Sequence, residues 1–254
     1  MSAFPISSQT LIKSISMSLH HVGRGNGLQF LAVLAFVIWS GLSVAGAEPK
    51  VLFHDTFDGE FDNTLNDSYW EVKGEVALNE LGFADFRDVS IVSAQETWFF
   101  SPDKENFGRV VFQISKAITN TEFGLFSADV GDRSVKIGVR NDILPATHWL
   151  IGIQNGSPVA TFETTVTREE GQSGTWEIRW MVGRVLVFFN DAQVFDSAKN
   201  PPTGGGLDAW AIPEEVLRPF ISMYTPPGLS LGLVDDVLWE INPVALDKEA
   251  PKLK

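Results

Sequence analysis

Two strands joined by a tight turn are encoded in the stretch Thr175-Trp-Glu-Ile-Arg-Trp-Met-Val-Gly-Arg-Val-Leu-Val-Phe-Phe-Asn-Asp191. Over residues 176–180, three apolar side chains alternate with Glu177 and Arg179. Because successive side chains of a strand point to opposite faces, this alternation predicts one buried face and one polar face. Gly183 marks a turn, and the run that follows it is apolar on both faces. The stretch therefore predicts an antiparallel hairpin inside a larger sheet.

The same period of two recurs along most of the chain from residue 51 onward. It is found at residues 109–115, 135–140, 220–224 and 231–241, with glycine, proline and Asn or Asp between the runs. Roughly a dozen short strands separated by turn residues predict an all-β protein, and strands that are apolar on both faces favour a two-sheet antiparallel sandwich. Only residues 213–218 predict a helical turn.

Residues 1–47 predict an N-terminal signal peptide. An apolar core at residues 28–39 is followed by Ala45-Gly-Ala47, which fits an A-x-A cleavage site. This core is shorter than the roughly 20 apolar residues that span a bilayer. We therefore expect export to a secreted or periplasmic location, a folded domain over residues 48–245 and a flexible tail over residues 246–254. An uncleaved N-terminal anchor is the alternative.

The charge balance excludes several classes of partner. The 254 residues include 19 Lys and Arg against 32 Asp and Glu, for a net charge of −13, and the leader contains none of the acidic residues. Such an acidic domain has no footprint for nucleic acid and, once the leader is removed, none for an anionic membrane surface. The chain has no cysteine, so disulfides and thiolate metal sites are excluded and stability must come from core burial.

Three segments in a fixed order carry a family resemblance. They are the opening Leu52-Phe-His-Asp-Thr-Phe-Asp-Gly59, the hairpin at residues 175–191 and the closing Leu233-Val-Asp-Asp-Val-Leu-Trp239. Together they resemble the concanavalin A-like lectin and glucanase superfamily, which includes laminin G-type modules, legume lectins and laminarinase-type hydrolases. The resemblance implies a jelly-roll sandwich over nearly the whole domain and a carbohydrate ligand.

The last of these segments contains one carboxylate, Asp235, among alternate side chains that are otherwise apolar. If Leu233 and Val237 face the core, strict alternation directs Asp235 there too, where an unpaired charge is costly. The superfamily commonly binds a structural Ca²⁺ through an aspartate in this position, and the resemblance implies that Asp235 binds it together with Asp55, Asp58 and carbonyls near Gly59. The alternative is that Asp235 accepts backbone N–H bonds at a sheet corner.

Hydrolase activity is doubtful from the sequence. Laminarinase-type hydrolases place paired acids on one strand in an E-x-D-x-x-E pattern, which brings the acids to one face. No segment of this chain has that pattern; the segment that starts at Glu177 has Arg179 where the second acid should be. Glu122, Glu163 and Glu177 are the strand carboxylates from which an unrecognised acid pair could come.

Aromatic residues in predicted loops and strand edges point to sugar binding. Sugar rings stack their C–H faces on exposed Trp or Tyr, while Asn, Asp and Arg bind the hydroxyl groups. We expect core packing for Trp70, Trp176, Trp180 and Trp239, and partial exposure for the two tryptophans proposed as stacking residues. The candidate ligand-binding residues are Trp149, Trp210, Arg140, Asn141, Asp142 and His148.

The sequence thus predicts an exported, non-catalytic, lectin-like domain that binds a polysaccharide or glycan outside the cytoplasm. One alternative is a glycoside hydrolase or polysaccharide lyase with an unrecognised acid pair. The other is a laminin G-like module that binds another extracellular protein.

Overall fold

The structure is a computed structural model that describes most of the predicted domain. The described residues are 48–58, 65–79, 82–118, 120–127, 132–139, 147–156, 158–224 and 232–244. The predicted signal peptide and tail lie outside them, as do Arg140, Asn141, Asp142 and Gly59. Among the described residues, no helix is long and apolar enough to cross a membrane.

Thirteen antiparallel strands and two 3₁₀ turns are found among the described residues. The strands are β1 (Lys50–Asp55), β2 (Trp70–Leu78), β3 (Ala84–Ala94), β4 (Asn106–Lys116), β5 (Asn120–Phe126), β6 (Arg133–Val139), β7 (His148–Asn155), β8 (Ala160–Thr167), β9 (Gly174–Met181), β10 (Arg184–Phe189), β11 (Ala192–Asp196), β12 (Arg218–Tyr224) and β13 (Gly232–Pro243). The 3₁₀ turns are Glu96–Trp98 and Glu170–Gln172. The all-β prediction is confirmed.

The strands follow one hydrogen-bonded path that folds back on itself. Its order is β11-β10-β9-β4-β13-β3-β12-β5-β6-β7-β8, with β1 added to β13 and β2 added to β3. The two halves face each other, because Phe112 of β4 packs against Phe123 of β5 with ring centroids 5.0 Å apart. We call the half that contains β2, β3, β12 and β5–β8 the groove sheet, and the half that contains β1, β13, β4 and β9–β11 the back sheet. Together they form the predicted jelly-roll sandwich.

The core lies between the two sheets. Trp70, Trp176, Trp180 and Trp239 are buried in it, as the sequence predicts. Trp180 and Ile178 share the inner face of β9 with Trp176, whereas Glu177 lies on the outer face of the back sheet, opposite Val111 of β4. The hairpin prediction is therefore confirmed side chain by side chain.

Strand β13 departs from strict alternation at Asp235. Val234 pairs with Ile114 and Asp236 pairs with Gln113, so Asp235 is an extra residue in a β-bulge. The bulge resets the phase of the strand, and both Val234 and Val237 are fully buried. The prediction that Asp235 shares the core-facing row is therefore wrong, and this residue is partly exposed.

The helical turn predicted at residues 213–218 is also absent. Phe100 and Leu217 exchange two backbone hydrogen bonds, at 3.1 and 2.9 Å, and Trp180 donates its indole N–H to the carbonyl of Pro213 at 2.7 Å. These partners hold the segment extended as it enters β12. Tertiary hydrogen bonds outweigh the weak local preference of the Glu-Glu-Val-Leu run for a helix.

Candidate functional site

The outer face of the groove sheet presents two rows of side chains that run across seven strands. Both rows follow from the register of neighbouring strands. The first contains Lys73, Ile91, Ser222, Glu122, Gly138, Leu150 and Glu163, and the second contains Glu71, Ser93, Phe220, Gly124, Lys136, Gly152 and Thr161. Polar, apolar and glycine positions are thus interleaved on one surface.

Three of these positions are glycines on adjacent strands, and they create a trough. A Cβ on Gly138 would lie 2.9 Å from Cγ of Glu122, and a Cβ on Gly152 would lie 3.2 Å from Cγ of Lys136. The side chains of Glu122 and Lys136 therefore rest on neighbouring glycines instead of projecting outward. Glycine inside a strand often marks such a close approach.

The trough has a volume of about 160 Å³. Its lining comprises Glu122, Lys136, Gly138, Leu150, Gly152, Val159 and Thr161. Nζ of Lys136 lies 3.3 and 3.4 Å from the two carboxylate oxygens of Glu122. This ion pair places a hydrogen-bond donor and an acceptor side by side on the floor, next to the apolar surface of Leu150.

Strand β5 carries a single carboxylate on this face. Glu122 is followed two and four residues later by Gly124 and Phe126, whose positions face the same way. A retaining glycosidase needs a second carboxyl group about 5–5.5 Å away, and an inverting one needs it at about 6.5–9.5 Å. Neither following residue supplies it.

The other two candidate acids do not complete a pair with Glu122. Glu163 stands in the same row but three strand spacings away, which separates the two backbones by roughly 14 Å. Glu177 lies on the outer face of the back sheet, where Arg109 contacts it at 2.7 Å and Arg179 at 2.5 Å. The three glutamates therefore do not converge on one substrate position.

His148 lies at the rim of the same face, on the first residue of β7. Its Nδ1 is 2.8 Å from Oε1 of Glu163 and 3.0 Å from the hydroxyl of Thr147. Both contacts fix the orientation of the imidazole ring. Of the predicted ligand-binding residues, His148 is therefore the one that the described structure places beside the trough.

Trp149 is fully buried, with 0% exposure, so the prediction that it is partly exposed is wrong. It points inward from β7, packs against Phe123 and Trp176, and donates its indole N–H to the carbonyl of Arg168 at 3.3 Å. The sequence misleads here because it predicts His148-Trp149 in a loop or at a strand edge, whereas these two residues begin β7. A strand that starts with a polar outward residue directs the next side chain into the core.

Trp210 is partly exposed, as predicted. It lies in the long segment between β11 and β12, and its ring packs edge-on against Phe195 with centroids 5.2 Å apart. Its indole N–H donates to the carbonyl of Asn200 at 2.6 Å. Trp210 lines a cleft beside Lys199 and is not among the residues that line the trough.

The predicted calcium ligands do not form a preassembled cluster in the described part of the chain. Asp55 already accepts bonds from the backbone N–H of Phe57, at 3.0 Å, and from the indole of Trp70, at 2.6 Å. The hydroxyl of Thr56 donates to Asp58. Among the described residues, no three His, Asp or Glu side chains converge in a way that would hold a metal ion.

A histidine–aspartate contact occupies the same corner. Nε2 of His54 lies 2.8 Å from Oδ1 of Asp236, which pairs β1 with the bulged part of β13. Burial raises the pKa of Asp236 above its usual value; His54 opposes this shift, and the nearby charges of Asp235 and Asp55 add to it. The charges of Asp55 and Asp235 thus both act on Asp236, and Gly59 lies outside the described residues.

Sequence reasoning missed the polar network on the back sheet. Arg109 bridges Glu177 at 2.7 Å and Glu240 at 2.9 Å, and both glutamates are buried. Burial alone would raise the pKa of Glu177, but Arg109 and Arg179 outweigh that effect and hold it below its usual value. The three residues come from β4, β9 and β13, and no local pattern links them in the sequence.

The trough residues Lys136, Gly138 and Gly152 were missed as well. A signal was present, because Gly124, Gly138 and Gly152 recur at equal intervals within runs that otherwise predict strands. Glycine weakens a strand interior, so a regular series of such glycines indicates a surface shaped for close approach.

Comparison with solved structures identifies the fold. A glycosyl hydrolase family protein from Mycobacterium fortuitum superposes with a TM-score of 0.53 and 14% identity, over 74% of this chain and 99% of that chain. A β-1,3-glucanase from Mycobacterium marinum gives a TM-score of 0.52 and 14% identity, over 76% and 99%. This chain has the β-glucanase fold. A pseudo β-1,3-glucanase and immunostimulatory antigen of Mycobacterium tuberculosis gives 0.51 and 15%, also over 76% and 99%.

At these identities the similarity shows the fold and not the reaction. No protein-family model matches the sequence, and no curated protein sequence matches it. The residues of the β-glucanase fold in this chain must therefore supply the argument for function.

Proposed function

We propose that this β-glucanase-fold domain binds a neutral polysaccharide on the outer face of its groove sheet and does not hydrolyse it. The observation that supports the proposal is the outer face of β5. It offers Glu122 as an acceptor but follows it with Gly124 and Phe126 instead of further acids. Recognition groups are present and the paired acids of glycoside hydrolysis are missing from that strand.

The chemistry of the trough favours a neutral sugar over a polyanion. Its ammonium group, on Lys136, is already neutralised by Glu122, and the rim adds the carboxylate of Glu163. A polyanionic chain would meet uncompensated negative charge in a protein that is acidic overall. Hydroxyl groups, in contrast, can accept from Lys136 and donate to Glu122 while the ring contacts Leu150.

Aromatic side chains on this face come from strands β12 and β5 instead of from Trp149. Tyr224 is 40% exposed and occupies the end of β12, opposite Asn120 of β5. At the other end of the face, Phe126 and Phe220 pack edge to face with centroids 5.1 Å apart. The exposed ring of Tyr224 is the stacking surface that we assign to the polysaccharide.

Export, and with it an extracytoplasmic glycan as the ligand, is part of the proposal and rests on the predicted signal peptide. The predicted Ca²⁺ is likewise a proposal, which rests on the family resemblance of the segment around Asp235. Arg140, Asn141 and Asp142 remain predicted ligand-binding residues, because they lie outside the described residues.

The decisive experiment measures binding and hydrolysis on the same samples. The domain is titrated with soluble β-1,3-glucan and mixed-linkage glucan by calorimetry, and reducing ends are assayed after long incubation. We expect binding without release of reducing sugar, and weaker binding for Gly152→Val, which fills the trough. Sugar release that disappears in Glu122→Gln would show that the domain is a hydrolase.

A further inference from the structure

A second cleft is lined by residues other than those of the trough. It has a volume of about 350 Å³ and opens between the turn that follows β11 and the segment around Trp210. Its lining includes Lys199, Pro201, Pro202, Asp208, Trp210 and Ile212. This volume falls in the range of small-molecule sites, roughly 300–1,000 Å³.

One wall of the cleft is held by a buried carboxylate. Asp196, which is 1% exposed, accepts bonds from Nε and Nη2 of Arg184 at 3.1 and 2.9 Å and from the backbone N–H of Ala198 at 3.0 Å. Lys199 lies 3.2 Å from the same carboxylate. The turn at residues 197–200 is therefore fixed before any ligand arrives.

The indole of Trp210 is fixed in the same way. Its edge-on contact with Phe195 sets the plane of the ring, and its hydrogen bond to the carbonyl of Asn200 sets the rotation within that plane. The part of the ring that is not covered lines the cleft. A rigid aromatic surface of this kind binds a ligand ring at little cost in side-chain entropy.

The remaining lining residues match the chemistry of a sugar. Pro201, Pro202 and Ile212 extend the apolar surface next to the indole, while Lys199 and Asp208 are exposed at the rim as donor and acceptor. A pyranose presents a C–H face to the first set and hydroxyl groups to the second. An apolar ligand would leave the rim unused, and a polyanion would meet Asp208.

The cleft and the trough are neighbours along one loop. Thr203 donates its backbone N–H to the carbonyl of Thr161 at 2.8 Å, and Thr161 returns a bond to the carbonyl of Gly204 at 3.2 Å. Thr161 lines the trough, and Pro201 and Pro202 line the cleft. A few residues of one loop therefore separate the two sites.

We propose that the cleft beside Trp210 is a second sugar-binding site, and that a polysaccharide chain occupies it together with the trough. The joint occupancy rests on the proposed function; the cleft as a sugar site does not. Two linked sites raise the affinity for a chain long enough to reach both, because the second contact becomes intramolecular. Short oligosaccharides gain nothing from this linkage.

The test uses an arginine placed in the cleft and a matched arginine next to it. Ala209 lines the cleft, whereas Ala211 is exposed outside it, so Ala209→Arg obstructs the site and Ala211→Arg provides the control. Each variant is titrated with a β-1,3-linked glucose trimer and with soluble β-1,3-glucan, and melting temperatures are recorded. A ¹⁵N spectrum of the indole N–H of Trp210, assigned with Trp210→Phe, reports directly on the cleft.

We expect the trimer to shift the Trp210 resonance, and Ala209→Arg to abolish that shift and to weaken binding of the long glucan at least tenfold. Ala211→Arg should behave as the wild type. Unchanged binding by Ala209→Arg, or a Trp210 resonance that does not respond to saturating trimer, would refute the second site. Gly152→Val separates the two proposals: if it leaves binding intact while Ala209→Arg removes it, the trough assignment fails and the cleft stands.

Discussion

The indole rings of Trp149 and Trp176 lie 5.2 Å apart, centroid to centroid, at an angle of 41°. One belongs to β7 of the groove sheet and the other to β9 of the back sheet, and six strands separate them along the hydrogen-bonded path. Gly171 lies against both: its carbonyl accepts the indole N–H of Trp176 at 3.4 Å, and a Cβ there would be 2.1 Å from Nε1 of Trp149. This pair joins the two sheets at the centre of the core.

Replacing Trp149 by Ala should therefore reduce the free energy of unfolding by about 3–5 kcal/mol, as for other large-to-small changes in a packed core. Urea denaturation followed by circular dichroism measures the loss. The folded fraction should keep its affinity for glucan, because the residue does not reach the surface. A loss of affinity with unchanged stability would contradict the buried position.

The glycines of the groove sheet should differ sharply in their tolerance of a methyl group. Gly124 has φ of +150°, and a Cβ there would lie 2.2 Å from the carbonyl oxygen of Val135, so Gly124→Ala should cost about 2–4 kcal/mol. At Gly152 the nearest atoms belong to the flexible side chain of Lys136, at 3.2 Å, so Gly152→Ala should change stability by less than about 1 kcal/mol. Thermal melts of the two variants measure the difference. If both variants lost the same stability, the contact with the Val135 carbonyl would not be the cause of the loss at Gly124.

The network on the back sheet predicts a defined pH dependence. Since the pKa of Glu177 is lowered in the folded state, its ion pairs stabilise the fold above the unfolded-state pKa of about 4.3 and are lost as the pH falls through the folded-state value. Glu177→Gln should cost about 3 kcal/mol at pH 7 because it leaves Arg109 short of one carboxylate. It should also flatten the decline of stability below pH 4.

The matched control is Glu169→Gln, a change at an exposed glutamate on the surface. Its melting temperature should follow that of the wild type at every pH. If Glu177→Gln also retains the wild-type decline in acid, the acid sensitivity comes from other carboxylates.

The calcium proposal makes a prediction for the corner between β1 and β13. An ion that binds the native state alone raises the melting temperature by mass action, so added Ca²⁺ should stabilise the wild type and Asp235→Ala should remove that gain. Asp67→Ala, at an exposed aspartate outside this corner, is the control. Identical responses of wild type and Asp235→Ala to Ca²⁺ would rule out Asp235 as a ligand.

The sequence predicts the strands well because the alternation of polar and apolar side chains is a local pattern within each strand. Glu177 and Arg179, each between apolar neighbours, illustrate this pattern. It fails at Asp235 because a bulge depends on how β13 must bend between two partners, β4 and β3. Nothing in the residues around Val234 indicates where the phase changes. One inserted position is enough to turn a carboxylate away from the core-facing row.

The candidate site was less predictable than the fold. Trp149 and Trp210 look alike in the sequence, since each has a polar residue within the two preceding positions, His148 and Asp208. Only the inward direction of β7 separates a core indole from one that lines a cleft. The trough depends on register between strands β5, β6, β7 and β8, which brings Gly138 under Glu122 and Gly152 under Lys136. Such cross-strand pairs have no local signature.

The position of β13 also bears on how the chain is assembled in the cell. This strand is the last of the described strands in sequence, yet it lies between β4 and β3 in the path and pairs with β1 as well. A ribosome-bound chain that ends before residue 232 leaves β4 and β3 with unpaired edges, which are ready to join another chain. The two halves of the path can therefore be joined only after residues 232–243 have been synthesised.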